Sequence, residues 1–214
     1  MIETETDRRP INKRIIDKFG FKPSECSCSK CVQACKVCPC ACTPDDVYDI
    51  VVNHGISRDL FSPTLNMMYY ECGIVNLPVP IINLKGEAHR VEDGIYGIRC
   101  NLLTDDGKCL VHEFKPLGGR YGDTHEGNPF VYMSSSSPEF QAVMSWVDRD
   151  NIDRISEVAK AICKTGNEYI RFMEAIHLCS LNIKIIRDNP RPEDLLSYSA
   201  RLKSVMEKME KSEL

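Results

Sequence analysis

Residues 26–42 read Cys-Ser-Cys-Ser-Lys-Cys-Val-Gln-Ala-Cys-Lys-Val-Cys-Pro-Cys-Ala-Cys and hold seven of the chain's twelve cysteines. Several of these sulfurs recur every three or four residues, a spacing that places side chains on one face of a helix. Pro39 interrupts such a helix, because proline lacks an N–H and clashes with the preceding turn. We therefore expect at most Cys28, Cys31 and Cys35 to share a helical face, with the later cysteines in the turn that follows. This geometry can hold a soft metal or an iron–sulfur cluster.

The composition is that of a globular protein: among 214 residues, 43% are hydrophobic and 27% are charged. A net charge of −4 argues against nucleic acid as the main partner. The first ten residues lack the apolar core of a secretory signal, and no window approaches the ~18 apolar residues that span a bilayer. We therefore expect a cytoplasmic protein without a membrane partner, in which reduced thiols bind metal or react rather than form disulfides.

The expected fold class is α+β, in two parts. Residues 1–136 are expected to form a small cysteine-rich metal-binding domain with short helices and a β-hairpin, and residues 137–214 an all-helical C-terminal region packing on it. Thr43-Pro-Asp-Asp46 is typical of a helix start, with a hydroxyl N-cap, a first-turn proline and two carboxylates facing the helix dipole. The other predicted elements are a helix at 11–19, strands at 78–84, 97–103 and 108–112, and apolar helix faces within 140–147, 152–162 (ended by Gly166), 172–179 and 195–209.

The other five cysteines fall into different classes. Cys100 and Cys109 lie on opposite strands of the predicted hairpin, where the Thr104-Asp-Asp-Gly turn brings them to the same end, and we predict a second pair of metal ligands there. Cys72 is left undecided. Cys163 and Cys179 lie on the apolar faces of amphipathic helices, where packing in the core is the better interpretation.

The spacing of the cysteines leaves the metal open. Tetrathiolate zinc sites pair two C-x₂-C motifs across a longer spacer than the one between Cys31 and Cys35. The bacterial ferredoxin run is not matched either, although Cys38-Pro39 is like its end. Inert packing of the cysteines and disulfide bonds are the competing interpretations.

Two blocks of the chain resemble the YkgJ-type cysteine-cluster proteins, also described as zinc- or iron-chelating CxxCxxCC domains. The first block is Cys28-Ser-Lys-Cys-Val-Gln-Ala-Cys35 together with the helix start after it, and the second runs from Cys100 through Cys109 to Arg120. This resemblance covers about residues 26–125 and implies metal or iron–sulfur binding, but no single reaction. Its matching ligands are Cys28, Cys31, Cys35, Cys100 and Cys109.

The chain departs from the family pattern at two positions. Ala34 stands where the family has the first of two adjacent cysteines, and Gly119 stands where it has a cysteine before the final arginine. We therefore expect the set of metal ligands to be rearranged.

A loop rich in glycine, 118–127, follows the hairpin. We predict that it lines a pocket in which Arg120 binds an anion and His125 supplies an acid–base group, although a packed irregular connection is the alternative. His112 is predicted to lie on a strand, pointing away from the side of Cys109. The apolar stripe at 195–209 could pair with a second copy, with a partner protein or with the domain itself.

These observations predict a cytoplasmic metal-binding protein. Nine candidate thiolates exceed what one tetrahedral zinc can use, so an iron–sulfur cluster is favoured, [4Fe–4S] ahead of [2Fe–2S], with zinc as the alternative. The competing functions are a metal-dependent enzyme with an open coordination position beside 118–127, and a thiol-redox or adaptor protein. The candidate ligands are Cys26, Cys28, Cys31, Cys35, Cys38, Cys40, Cys42, Cys100 and Cys109.

Overall fold

The computed structural model describes residues 9–19, 29–37, 40, 42–61, 66–71, 76–81, 86–90, 96–122, 141–142 and 144–187, with single positions between 200 and 211. The helices are α1 (Ile11–Phe19), α2 (Ser29–Val37), α3 (Pro44–Tyr48), α4 (Leu117–Gly122), α5 (Ile152–Ile162) and α6 (Gly166–Arg187). The strands are β1 (Asn66–Glu71), β2 (Asn76–Ile81), β3 (Gly86–Arg90) and β4 (Tyr96–Cys100). The described part of the chain is therefore mainly helical.

Helix α3 begins where the sequence predicts, because its N-terminus is capped locally. The Thr43 side chain accepts a hydrogen bond from the Asp46 N–H, and the Asp46 carboxylate accepts one from the Thr43 N–H at 2.7 Å. This reciprocal arrangement is a capping box, and Pro44 supplies the first helical position. The chain continues from α3 into one π-helical segment, Asp49–Asn53, and reaches Gly55 at a positive φ of 64°.

The strands pair in two separate antiparallel ladders, β1 with β2 and β3 with β4. No sheet of more than two strands forms among the described residues. The α+β expectation is therefore reproduced in part: short helices and paired strands are present, but the strands make up a small share of the described residues. The strand expected at 78–84 lies at Asn76–Ile81, and the one expected at 97–103 ends at Cys100.

The hairpin turn is present, whereas the predicted returning strand 108–112 is wrong. The Thr104 N–H donates to the Lys108 carbonyl at 2.8 Å, and Gly107 takes a positive φ of 78°, as a tight turn requires. Beyond the turn, strand pairing is reduced to a single bridge between Leu103 and Cys109. The chain then enters successive i→i+3 turns, and His112–Phe114 is a 3₁₀-helix, so His112 does not lie on a strand.

One hydrophobic core includes residues from both predicted parts of the chain. Trp146 and Phe172 are fully buried and meet edge to face, with ring centroids 6.2 Å apart. Val47 and Leu102, from the N-terminal part, are buried in the same cluster. The division at residue 136 stays a prediction, and the shared core shows that the cysteine-bearing segments pack against the C-terminal helices.

Helices α5 and α6 agree with the apolar patterns at 152–162 and 172–179, with two corrections. Gly166 begins α6 instead of ending α5, because α5 already stops at Ile162. Ile152 is 45% exposed and lies outside the buried face that Ile155 forms. The predicted helix over 195–209 falls almost wholly outside the described residues. No helix in the described part of the chain combines the length and the apolar character needed to cross a bilayer.

Candidate metal centre

Five cysteines from three segments of the chain come together beside helix α2. Cys35 lies on α2, which packs against β4, and Cys100 is the last residue of β4. Cys109 lies on the far side of the hairpin turn. Cys40 and Cys42 come from the loop that leads from α2 into α3. We call these five residues the thiol cluster.

The thiols of the cluster interact with one another electrostatically. The Cys40 thiol is hydrogen-bonded to Cys35 and lies within electrostatic range of Cys42 and Cys100. Cys100 in turn lies within range of Cys35 and Cys109. Cys42 and Cys100 are buried, and the other three are partly buried against the same core. The fold thus brings together sulfurs that are up to 74 positions apart in the sequence (Cys35 to Cys109).

Backbone groups are also directed at these sulfurs. The N–H groups of Leu102 and Cys40 hydrogen-bond the Cys100 sulfur. The Cys42 thiol donates to the Cys40 carbonyl across 3.6 Å. Backbone N–H groups aimed at sulfur favour the thiolate, and hydrogen bonds of this kind tune thiolate-bound metal centres.

Hydrogen bonding, burial and the neighbouring sulfurs disfavour the thiolate forms of Cys40 and Cys100 in the absence of a cation. The hydrogen bond with Cys35, burial and the charges of the neighbouring thiols raise the pKa of Cys40 well above its ordinary value. Burial chiefly, with repulsion from Cys35 and Cys109, raises the pKa of Cys100 to about 11, although the two N–H groups work in the opposite direction. A bound metal reverses this balance, because a coordinating thiol is deprotonated outright.

The loop carrying Cys40 and Cys42 is held from both sides. The Trp146 indole N–H donates to the Cys42 carbonyl at 2.6 Å, which connects the loop to the C-terminal half of the chain. On the other side the buried Asp46 carboxylate accepts hydrogen bonds from the backbone N–H groups of Thr43 at 2.7 Å and Leu117 at 3.0 Å, and from the Asn12 amide at 2.7 Å. The position of the cysteine loop therefore depends on α1, α4 and the core together.

Gly119 lies directly against the Cys40 sulfur. A Cβ placed on Gly119 would be 3.0 Å from the Cys40 Sγ, closer than carbon and sulfur ordinarily approach. The stem of the buried Lys115 borders the same space, with its Cδ 3.8 Å from that Cβ position. The Cys40 sulfur thus occupies the space that a side chain at position 119 would need.

Two other predicted site residues lie on described helices. Cys31 lies in α2, one turn before Cys35, and Arg120 lies in α4, partly buried, next to Gly119. Cys163 and Cys179 are buried in the hydrophobic core, which confirms their predicted packing role. None of the seven cysteines with described side chains forms a disulfide. The predictions for Cys26, Cys28, Cys38, Cys72 and His125 concern positions outside the described residues.

The thiol cluster is not arranged as a finished coordination sphere. Within the described ranges, no three His, Cys, Asp or Glu side chains have the geometry of a formed metal site. The cluster does provide soft donors, low solvent access and N–H groups directed at sulfur, and these match the donor chemistry that iron–sulfur clusters and zinc require.

Sequence reasoning missed three residues that shape the cluster: Trp146, Lys115 and Gly119 as a contact of Cys40. Trp146 is the chain's single tryptophan, and no local pattern connects it to a carbonyl 104 positions earlier. Gly119 is visible in the sequence as a departure from the family pattern, but its contact with Cys40 depends on tertiary packing.

Comparison with known proteins adds no further constraint. No protein-family model matches the chain, and no curated protein and no solved structure matches it significantly. The resemblance to the cysteine-cluster family therefore stays a prediction from the two sequence blocks.

Proposed function

We propose that this chain is a metal-binding protein whose thiol cluster holds an iron–sulfur cluster, [4Fe–4S] ahead of [2Fe–2S], with zinc as the alternative. The observation that supports the proposal is the convergence of five sulfurs from α2, the following loop and the hairpin, with backbone N–H groups directed at Cys100. The proposed ligands are drawn from these five, together with Cys31 and the neighbouring cysteines of the same run. The proposed compartment is the cytoplasm, where thiols are kept reduced.

The energetics of the cluster favour this interpretation over inert packing. Inert packing does not require five cysteines side by side, and a single buried cysteine behaves as a small hydrophobic residue. In the thiol cluster, by contrast, the neighbouring sulfurs each disfavour ionisation of Cys40 and Cys100. A cation of high sulfur affinity turns this repulsion into attraction and releases the thiol protons as it binds.

The space over which the sulfurs are spread bears on which metal is bound, because zinc and a [4Fe–4S] cluster each take four thiolates. A tetrahedral zinc uses four thiolates, and the described cluster alone contains five. A [4Fe–4S] cluster is larger than one zinc ion and is held by four thiolates spread over a wider space. When bound, the cluster supplies one-electron chemistry and contributes folding free energy, while the chain holds it, excludes water and directs N–H groups at the sulfurs.

Metal analysis of anaerobically purified protein tests the proposal. We expect about four iron and four sulfide per chain with broad absorption at about 400 nm, or one equivalent of zinc in a colourless sample if the alternative holds. Cys100→Ser, Cys109→Ser and Cys40→Ser should each lower the metal content severalfold. Cys163→Ser is the matched control, because Cys163 lies in the core away from the cluster, and it should retain full metal content.

Circular dichroism of each variant separates lost ligands from lost folding. A folded, reduced wild-type protein that binds neither iron nor zinc would contradict the proposal. Equal metal loss in the control and in the three ligand variants, with all of them folded, would contradict the assignment of the ligands.

A further inference from the structure

A second site lies beside α1, at a cavity of about 620 Å³. Its walls are α1, the turn around residues 144–151 and Ser180 of α6. None of the described residues that line it is a cysteine, so it is separate from the thiol cluster.

Three cationic side chains line this cavity: Arg14, Lys18 and Arg149. In the described part of the chain, none of the three has a carboxylate within ion-pair distance. Asp148 also lines the cavity, but its carboxylate accepts a hydrogen bond from the Asp150 N–H and caps the following 3₁₀ turn. A chain with a net charge of −4 therefore places around one cavity three cations that have no ion-pair partner among the described residues.

A chain of hydrogen bonds through Asn151 holds the Arg14 side chain in place, while its Nε–H has no acceptor among the described residues. Its Nη2 donates to the Asn151 Oδ1 at 2.7 Å, and the Asn151 amide donates to the Ser145 carbonyl at 3.0 Å. Asn151 is buried, which fixes the guanidinium at the cavity wall. The Arg14 Nε is also buried and has no acceptor among the described residues. No solvent reaches this Nε, so an anion in the cavity would meet the terminal N–H groups of the guanidinium, which form charge-assisted hydrogen bonds.

Five of the thirteen described residues that line the cavity are apolar, and the others are polar or charged. Ile15, Phe19, Met144 and Val147 line the cavity beside the three cations. Apolar walls with a few convergent polar groups are typical of small-molecule sites, in which the polar groups fix the orientation of the ligand.

We propose that this cavity binds a small amphipathic anion, with a carboxylate or phosphate head on Arg14 and an apolar body against Phe19 and Met144. Lys18 and Arg149 contribute attraction at the rim. This inference is independent of the metal centre, and it stands or falls separately from it.

Isothermal titration of the full-length protein with octyl phosphate tests the site. We expect one octyl phosphate per chain, with inorganic phosphate and octanol each binding at least about tenfold more weakly, because each lacks one half of the recognised chemistry. A parallel titration with octanoate identifies which head group the site prefers. Octanol binding as tightly as octyl phosphate, or no saturable binding of either anion, would overturn the proposal.

Variants that each remove one positive charge show which residues bind octyl phosphate. Arg14→Gln should weaken octyl phosphate about tenfold or more, because a charge-assisted hydrogen bond is lost. Lys18→Gln and Arg149→Gln should each weaken it about two- to fivefold. The matched controls are Lys160→Gln and Arg58→Gln, which remove exposed cations outside the cavity and should leave binding unchanged.

Arg14→Lys keeps the proposal testable if Arg14→Gln fails to fold. Lysine retains the positive charge but lacks the planar set of N–H donors of the guanidinium. We therefore expect its affinity for octyl phosphate to lie between those of the wild type and Arg14→Gln. Unchanged affinity in a folded Arg14 variant, or equal weakening in the two controls, would refute the assignment.

Discussion

Replacing Gly119 with alanine tests the packing of the thiol cluster most directly. The added Cβ would lie 3.0 Å from the Cys40 Sγ, whereas its distances to the Lys115 stem, 3.8 and 3.9 Å, are ordinary van der Waals contacts. The clash is therefore with the Cys40 sulfur alone. Since Cys40 is packed among other thiols, the sulfur has to move by several tenths of an ångström into occupied space.

Two effects of opposite sign determine how much Gly119→Ala changes the free energy of unfolding. Overpacking of a close-packed site costs about 1–3 kcal/mol. Alanine in place of glycine within a helix such as α4 stabilises by about 0.5–1 kcal/mol. We therefore expect Gly119→Ala to destabilise the protein by about 1–2 kcal/mol, which corresponds to a fall in Tm of about 2–8 °C for a chain of this size.

A double-mutant cycle isolates the contact. In a Cys40→Ala background the sulfur is gone, so the helix-propensity effect remains and Gly119→Ala should stabilise by up to about 1 kcal/mol. Urea unfolding under reducing conditions, followed by circular dichroism with and without a chelator, measures all four variants. If Gly119→Ala changed the free energy of unfolding in the same direction in the wild-type and Cys40→Ala backgrounds, the contact between position 119 and Cys40 would be refuted.

The remaining predictions concern three buried groups. Asp46→Ala should lower the free energy of unfolding in urea by about 2–4 kcal/mol, because the backbone N–H groups of Thr43 and Leu117 lose their acceptor. Asp46→Asn should cost less than half as much, since the amide carbonyl can still accept a hydrogen bond. Burial raises the pKa of Asp46, so the folded state binds a proton at a higher pH than the unfolded state does. The free energy of unfolding should therefore rise as the pH falls from neutral towards the ordinary pKa of Asp. The same dependence of unfolding free energy on pH in Asp46→Asn would count against this. Trp146→Phe keeps most of the packing but leaves the Cys42 carbonyl without its donor, and the midpoint of thermal unfolding should indicate a loss of about 1–3 kcal/mol; an unchanged midpoint would show that the hydrogen bond is unimportant. Burial raises the pKa of Cys163 to about 12. At pH 8 the Cys163 thiol of the native protein should therefore be alkylated about a thousandfold more slowly than that of the unfolded protein, as measured by peptide mapping. Comparable alkylation rates in the two states would contradict the burial of Cys163.

Local chemistry made several features predictable from the sequence. The start of α3 depends on Thr43, Pro44 and Asp46, which lie within four positions of one another, so the capping box could be inferred without the fold. The apolar spacing in α5 and the core position of Cys179 in α6 follow from helical periodicity in the same way, whereas Cys163 is buried as the extended C-cap residue just after α5. The turn at Thr104–Gly107 also depends on neighbouring residues, and it is formed as predicted.

The tertiary structure decided the features that depend on distant residues. The return from the turn is limited to the bridge at Cys109, because pairing ends after the Leu110 N–H has donated to the Leu102 carbonyl at 2.9 Å. From there the chain enters successive i→i+3 turns around the buried Val111. The sequence predicts that cysteines carry the chemistry of this protein, but their spacing could not show which sulfurs lie close together. That depends on Trp146, Asp46 and Gly119, which position the Cys40–Cys42 loop through contacts between residues that are about 70 to 100 positions apart.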